Sequence, residues 1–199
     1  MRPIDLDGFE AKFKDSPDPW ATWTDRDEVI KRQAIEHAMG SGRIGRLLEL
    51  GAGNGSNSRA LCKRALRLDA TEATGEGTRL VGEAVAGCAR ARATQLIVPA
   101  APPRPTYDAI VIAEMLYYLS PRTMRQLARQ IDRLLPIGGT LILAHHRITF
   151  YDFSQKADHI QRRFLGETRC SWKTKVYRRT GRWRVLQCKR ILDPDQGKR

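Results

Sequence analysis

The stretch Leu47-Leu48-Glu49-Leu50-Gly51-Ala52-Gly53-Asn54-Gly55-Ser56-Asn57 decides how the rest of the chain is read. Leu47, Leu48 and Leu50 form a short apolar run of the kind buried in a strand, and residues from Ser56 to about Arg64 open a helix. Between them glycine recurs at alternate positions, Gly51, Gly53 and Gly55. Glycine serves where backbone turns sharply or lets a ligand approach closely. The helix that follows offers unpaired N–H groups at its start. A dinucleotide-binding turn places glycine first, third and sixth. Here the glycines fall first, third and fifth and Ser56 takes the sixth place, which argues against an NAD-dependent enzyme.

Outward from this turn, apolar runs alternate with helical patterns. Strands are expected at 66–72, 94–98, 108–114 and 140–144, and helices at 56–64, 76–90 and from Pro121, where Ser120 caps and Pro136 with Gly138-Gly139 stops. Upstream, Phe9 and Phe13 lie one helical turn apart, and residues 27–39 read as a helix capped by Asp25 or Asp27 and closed by Gly40. Downstream, 155–166 reads as a helix. Trp172–Tyr177 and Trp183–Cys188 flank Arg-Arg-Thr-Gly-Arg as two strands of a hairpin. The expected fold is α/β: a Rossmann-like, doubly wound seven-stranded sheet, mostly parallel, with an antiparallel C-terminal edge hairpin. We read residues 1–199 as a single domain, with N-terminal lid helices over 1–40, a cofactor-binding core over 41–150 and a basic helix and hairpin over 151–199.

Composition narrows the function classes. No apolar run approaches the ~20 residues of a membrane span, and the start MRPIDLDGFE carries no signal-peptide core, so cytoplasmic residence is expected. Cys62, Cys88, Cys170 and Cys188 are scattered, and no cysteine–histidine spacing suits zinc, so no metal is expected. The net charge of +13 is uneven: residues 1–30, with Arg2 among four basic residues against eight acidic, carry −4, while residues 161–199, with Asp195 among three acidic residues against thirteen basic, carry +10. Such asymmetry points to an anionic partner or to a solvated basic face.

The turn E-x-G-x-G-x-G resembles motif I of class I S-adenosylmethionine-dependent methyltransferases. In that family the turn lies under the methionine part and sugar of the cofactor. Glu114-Met115-Leu116-Tyr117-Tyr118-Leu119 followed by Leu135-Pro136-Ile137-Gly138-Gly139-Thr140-Leu141 resembles the later motifs. With Asp18-Pro19-Trp20 these are similar to the NodS-like group, named for a nodulation N-methyltransferase that acts on an amino-sugar nitrogen; the resemblance covers roughly residues 9–150. It implies S-adenosyl-L-methionine as cofactor, held by Glu49, Gly51, Ala52, Gly53, Asn54 and Gly55. It also implies that Glu72, 23 positions after Glu49 and beside Ala73, is the motif II acid for the ribose hydroxyls, and that Trp20 closes a lid. The family offers an acid for the adenine after strand three, where this chain has Val98-Pro99-Ala100-Ala101-Pro102. The backbone of Pro99 and Ala100 is the substitute considered.

Ligands of open α/β sheets bind beyond the carboxyl ends of the strands. Glu114 ends strand four and is the carboxylate chosen to hold an amine and stabilise the cation formed on it, with Tyr117 and Tyr118 orienting. His145 and His146 end strand five on opposite faces, so one of them faces the acceptor as base. Asp158-His159 is a further reach over the same place. The leading reading is a methyltransferase for a small-molecule acceptor, anionic or carbohydrate-like, most simply the nitrogen of an amine or amino sugar. O-methylation of a small metabolite is the next alternative. A nucleic-acid methyltransferase is invited by the basic end, but no Asn-Pro-Pro-Tyr tetrapeptide or Pro-Cys nucleophile follows strand four. A binding subunit without activity is the last.

Overall fold

The computed structural model describes residues 3–193, so Arg2 and Asp195 of the charge ledger lie outside the described residues. Seven strands form one sheet in the order β3-β2-β1-β4-β5-β7-β6: β1 (Ile44–Leu50), β2 (Ala65–Glu72), β3 (Ala91–Gln95), β4 (Ala109–Ala113), β5 (Thr140–His146), β6 (Ser171–Arg179) and β7 (Trp183–Ile191). The first five run parallel; β7 joins β5 antiparallel and β6 returns along β7. This is the expected mixed sheet, its strand order reversing between β1 and β4, the place where such sheets bind ligands.

The strands alternate between two buried faces. Leu47, Val111, Ile142 and Val185 pack under α2 (Arg26–Ala38), α3 (Ser56–Leu61) and α4 (Gly75–Val85). Leu48, Ile110, Ile112, Leu141 and Leu143 pack under α5 (Pro121–Leu134) and α6 (Ile160–Glu167). Asp25 caps α2 through the N–H groups of Asp27 and Glu28, and Ser120 caps α5 through Thr123. A further helix, α1 (Leu6–Asp15), lies on the start of α4, where the Glu10 carboxylate accepts from Glu76 N–H at 3.0 Å.

Several elements differ from their expected bounds, among them the third strand and two helices. The third strand is Ala91–Gln95, not 94–98, because it pairs with Leu68–Glu72 while the more apolar Leu96 and Val98 turn inward onto the α5 core. The helix expected to 90 ends at Val85, five residues short. The helix expected from 155 starts at Ile160. Gln155 is used elsewhere: its N–H donates to Tyr117 O and its amide to Leu119 O. His159 has a left-handed backbone that interrupts a helix.

Candidate active site

At the carboxyl end of β1 the three glycines all take positive φ, which a side chain strains. Two are also packed shut. A Cβ at Gly51 meets Met115 Sδ at 2.7 Å, and one at Gly55 meets Ala84 Cβ at 2.6 Å. Gly53 differs: a Cβ there meets only Phe13, at 3.9 Å, so this glycine presents bare backbone to the space above the sheet. Gly53 N–H donates to Glu72 Oε2 at 2.8 Å, while Thr74 N–H and hydroxyl donate to Oε1 at 3.3 Å. Burial pushes the Glu72 carboxyl up against these bonds. Each carboxylate oxygen accepts two bonds, so Oε2 keeps capacity for a hydroxyl. Ala73 follows, its carbonyl accepting from Gln95 Nε2 at 3.0 Å. Glu49 is buried with Ser58 Oγ 2.5 Å from Oε2 and no partner for Oε1, and burial pushes its pKa up to about 8. The rival acid Asp69 is spent on structure, accepting from Arg104 Nε at 2.9 Å and from Tyr107 hydroxyl at 3.0 Å.

The N-terminal segment is latched over this turn. Asp18 accepts from Thr22 N–H, Thr22 hydroxyl and Trp23 N–H, and from Asn54 Nδ2 at 2.9 Å; Asn54 also donates to Pro17 O. Asn54, expected to hold the cofactor, is the joint between turn and lid. Trp20 stands edge-on to Phe13 at 5.5 Å and tilted to Phe9 at 6.0 Å. The Arg32 and Arg59 guanidiniums stand 5.8 and 5.9 Å from the Trp23 ring centre. Two shallow grooves, both lined by Gly45 and Asp108, open at the opposite end of the strands.

The end of β4 gathers charge. Glu114, at φ +54, is held by the Lys31 ammonium and the Tyr117 hydroxyl, and Oε2 accepts His146 N–H at 3.2 Å. Lys31, nearly fully buried on α2, also binds Glu28 at 2.7 Å. His146 Nδ1 lies 3.7 Å from Glu114 Oε2, and its Nε2 4.0 Å from Glu28 Oε1. Burial, the largest single influence, raises the Glu114 carboxyl, but Lys31, His146 and His145 together outweigh it and the net shift is downward, keeping Glu114 ionised. Burial lowers His146, leaving a neutral imidazole at pH 7. Glu28, Glu114 and His146 have the composition of a metal cluster, but the Lys31 ammonium already supplies their cation.

The two histidines divide as neighbouring strand residues must. His145 is fully buried, takes Leu116 N–H on Nε2 at 3.4 Å and is lowered by burial to about 3, so it supports the Leu116–Tyr118 turn from within and does not face the Glu114 cluster. Tyr118, chosen with it, is corrected likewise: the hydroxyl on Glu114 is Tyr117's, while the Tyr118 ring packs on Phe9 at 4.8 Å and Phe153 at 5.0 Å. Pro99 and Ala100 are not gathered to the turn; their carbonyls accept Gln130 Nε2 at 3.2 and 2.9 Å. Asp158-His159 pair with each other at 3.1 Å and are exposed. Sequence reasoning missed Lys31 and Glu28. The signal was a lysine on the same helical face as Ala34, Ile35 and Ala38, all buried.

A strand–glycine turn–helix, an acid ending the next strand and a switch point between them define a Rossmann-like methyltransferase fold. Residues 48–143 match a family described as a methyltransferase domain. The chain is similar in fold to the N-methyltransferase NodS from Bradyrhizobium japonicum WM9, solved with S-adenosyl-L-homocysteine: TM-score 0.81, 16% identity, 94% of this chain and 98% of that one covered. It is similar to DhpI, solved as a complex with S-adenosyl-L-homocysteine, at TM-score 0.72 and 17% identity over 94% and 96%. It is also similar to Haemonchus contortus phosphoethanolamine N-methyltransferase 1, at TM-score 0.65 and 14% identity over 95% of this chain and 51% of that one. No curated protein sequence matches.

Proposed function

We propose that this protein is an S-adenosyl-L-methionine-dependent methyltransferase that methylates the nitrogen of a small amine, in the manner of the NodS-like group. The observation that carries the amine is the cluster at the end of β4. Two carboxylates, Glu28 and Glu114, share one buried lysine, leaving one negative charge beside a neutral His146. A cationic amine is favoured there, and the imidazole is a proton acceptor for it. The residues fit the cofactor: Gly53 leaves backbone open, and Glu72 closes the end of β2 with acceptor capacity. Gly51, Ala52, Asn54 and Gly55 shape the turn, Glu49 supports it from below, and Trp20 with Phe13 covers it. When bound, the cofactor supplies a methyl group already activated on a sulfonium. The protein's part is to hold the amine, take its proton at His146, and stabilise with Glu114 the positive charge that grows on nitrogen.

A second reading, a subunit that keeps the fold without activity, is favoured by one feature. The seven residues after β3, Leu96 to Pro102, contain no acid, and the carbonyls of Pro99 and Ala100 are taken by Gln130. Transfer of labelled methyl from S-adenosyl-L-methionine to a panel of amines and matched alcohols decides. Methylated amines, reduced in Glu114→Gln, are expected; methylation of alcohols alone overturns the nitrogen assignment, and no product from any acceptor favours the inactive subunit. As a place of action we propose the cytoplasm. The four cysteines are unpaired, and no helix among the described residues is long and apolar enough to cross a membrane.

A further inference from the structure

Arginines crowd the end of the sheet where Glu114 stands. Because β7 runs against β5, His145 pairs with Arg184 and His146 with Trp183. Because β6 runs back along β7, Arg179 stands opposite Arg184, the two side chains on one face. Arg147 follows β5 directly; its N–H donates to Arg182 O and its guanidinium to Thr180 O, both at 2.7 Å. Arg184 is fixed from below. Its Nε donates to Gln161 Oε1 at 2.7 Å, and the buried Gln161 amide donates to Leu143 O and Arg184 O. That bond uses Nε only, so among the described residues the two terminal nitrogens of Arg184 remain for another acceptor.

Like charges directly opposite in a sheet repel. Burial, then the guanidiniums of Arg179 and Arg147, push Arg184 below its ordinary range. The carboxylate nearby, Asp158, is exposed and pairs with His159. Arg182, by contrast, is answered by Asp27 at 3.2 Å. Lys173, on the edge strand β6, pairs with Lys189 toward the far end of the strands, and lysine on an edge discourages pairing with another chain.

We propose that Arg147, Arg179 and Arg184 form a binding site for a phosphate-type oxyanion, separate from the Glu114 cluster. Arg184 stands beside the buried His145 on the α6 face of the sheet, whereas Lys31, Glu28 and His146 gather on the α2 face, so the arginine site opens away from the amine cluster. Planar guanidiniums suit phosphate because they bind it through two parallel bonds.

The test titrates the full chain with inorganic phosphate at constant ionic strength, using wild type, R179Q and R184Q. Arg179 is exposed, so R179Q keeps the test open even if R184Q, which loses its bond to Gln161, fails to fold. We expect saturable binding in wild type and a loss of at least about tenfold in R179Q, the scale of one charge-assisted bond. S-adenosyl-L-methionine is titrated into the same samples. Equal cofactor affinity in all of them marks the loss as the subsite's own, and separates its failure from failure of the methyltransferase reading. Equal phosphate binding in wild type and R179Q, or binding that does not saturate, overturns the proposal. So does tight, salt-sensitive binding of a single-stranded oligonucleotide without phosphate binding, which assigns the cluster to nucleic acid.

Discussion

Glu114 is held by a helix, a turn and a strand at once: Lys31 from α2, Tyr117 from the turn after β4, and His146 N–H from β5. A carboxylate so restrained loses little freedom when an amine arrives, which is the condition for acting on the transition state rather than on binding. Glu114→Gln keeps the shape and removes the charge. The expected outcome is turnover down by about tenfold or more with cofactor affinity unchanged, checked by steady-state kinetics beside a cofactor titration. Gly53→Ala acts at the other pole. Its φ of +61 costs a side chain roughly 1 kcal/mol, and the methyl group fills the one open glycine of the turn. Cofactor binding is expected to be lost while the circular dichroism spectrum is retained. Of these residues Gly53, Glu72 and Glu114 were legible in the sequence, because strand ends and glycine spacing are local patterns. Tyr117 over Tyr118, and His146 over His145, were not. Neighbours on a turn or strand look alike until packing chooses which one is buried.

Among the elements, α2 and the N-terminal segment do what their composition alone does not say. Lys31 occupies the apolar stripe of α2 and is neutralised by two carboxylates. Its own pKa is raised, since the charges of Glu114 and Glu28 outweigh burial, the largest single influence. A raised lysine contributes stability below its ordinary ~10.4 and loses it as pH climbs beyond; a lowered Glu114 contributes above its ordinary ~4.3 and loses it as pH falls below. Stability from this cluster is therefore greatest between those limits. Lys31→Met is expected to lower stability by on the order of 3 kcal/mol at neutral pH and to flatten both shoulders, measured as Tm against pH. The lid is the second case. Asp18 and Asn54 join it to the glycine turn, so Asn54→Ala is expected to speed proteolytic cleavage before residue 26 and to weaken cofactor binding, with the sheet intact. Faster cleavage without weaker binding would separate the lid from the site. The motif Asp18-Pro19-Trp20 flagged the segment, but only the fold reveals that its aspartate clasps Asn54. The third strand was misplaced for a related reason: as an edge strand it is less apolar than the residues that follow it, so hydrophobicity pointed three residues too far.

The whole molecule is polarised. Its acidic N-terminal helices supply Glu28 to the cluster, its basic C-terminal hairpin supplies Arg179 and Arg184, and the sheet brings both to one end. The layered architecture was legible from alternating strands and helices, since apolar periodicity records which faces are covered. The meeting of the two charged ends was not, because it depends on the antiparallel return of β7 beside β5. One measurement tests the central claim most directly: calorimetric titration of the intact protein with S-adenosyl-L-methionine and S-adenosyl-L-homocysteine. Binding of both with one site per chain and affinity near the micromolar range, about −8 kcal/mol, is the expected result. Absence of binding by either would contradict the cofactor site built here from the glycine turn and Glu72.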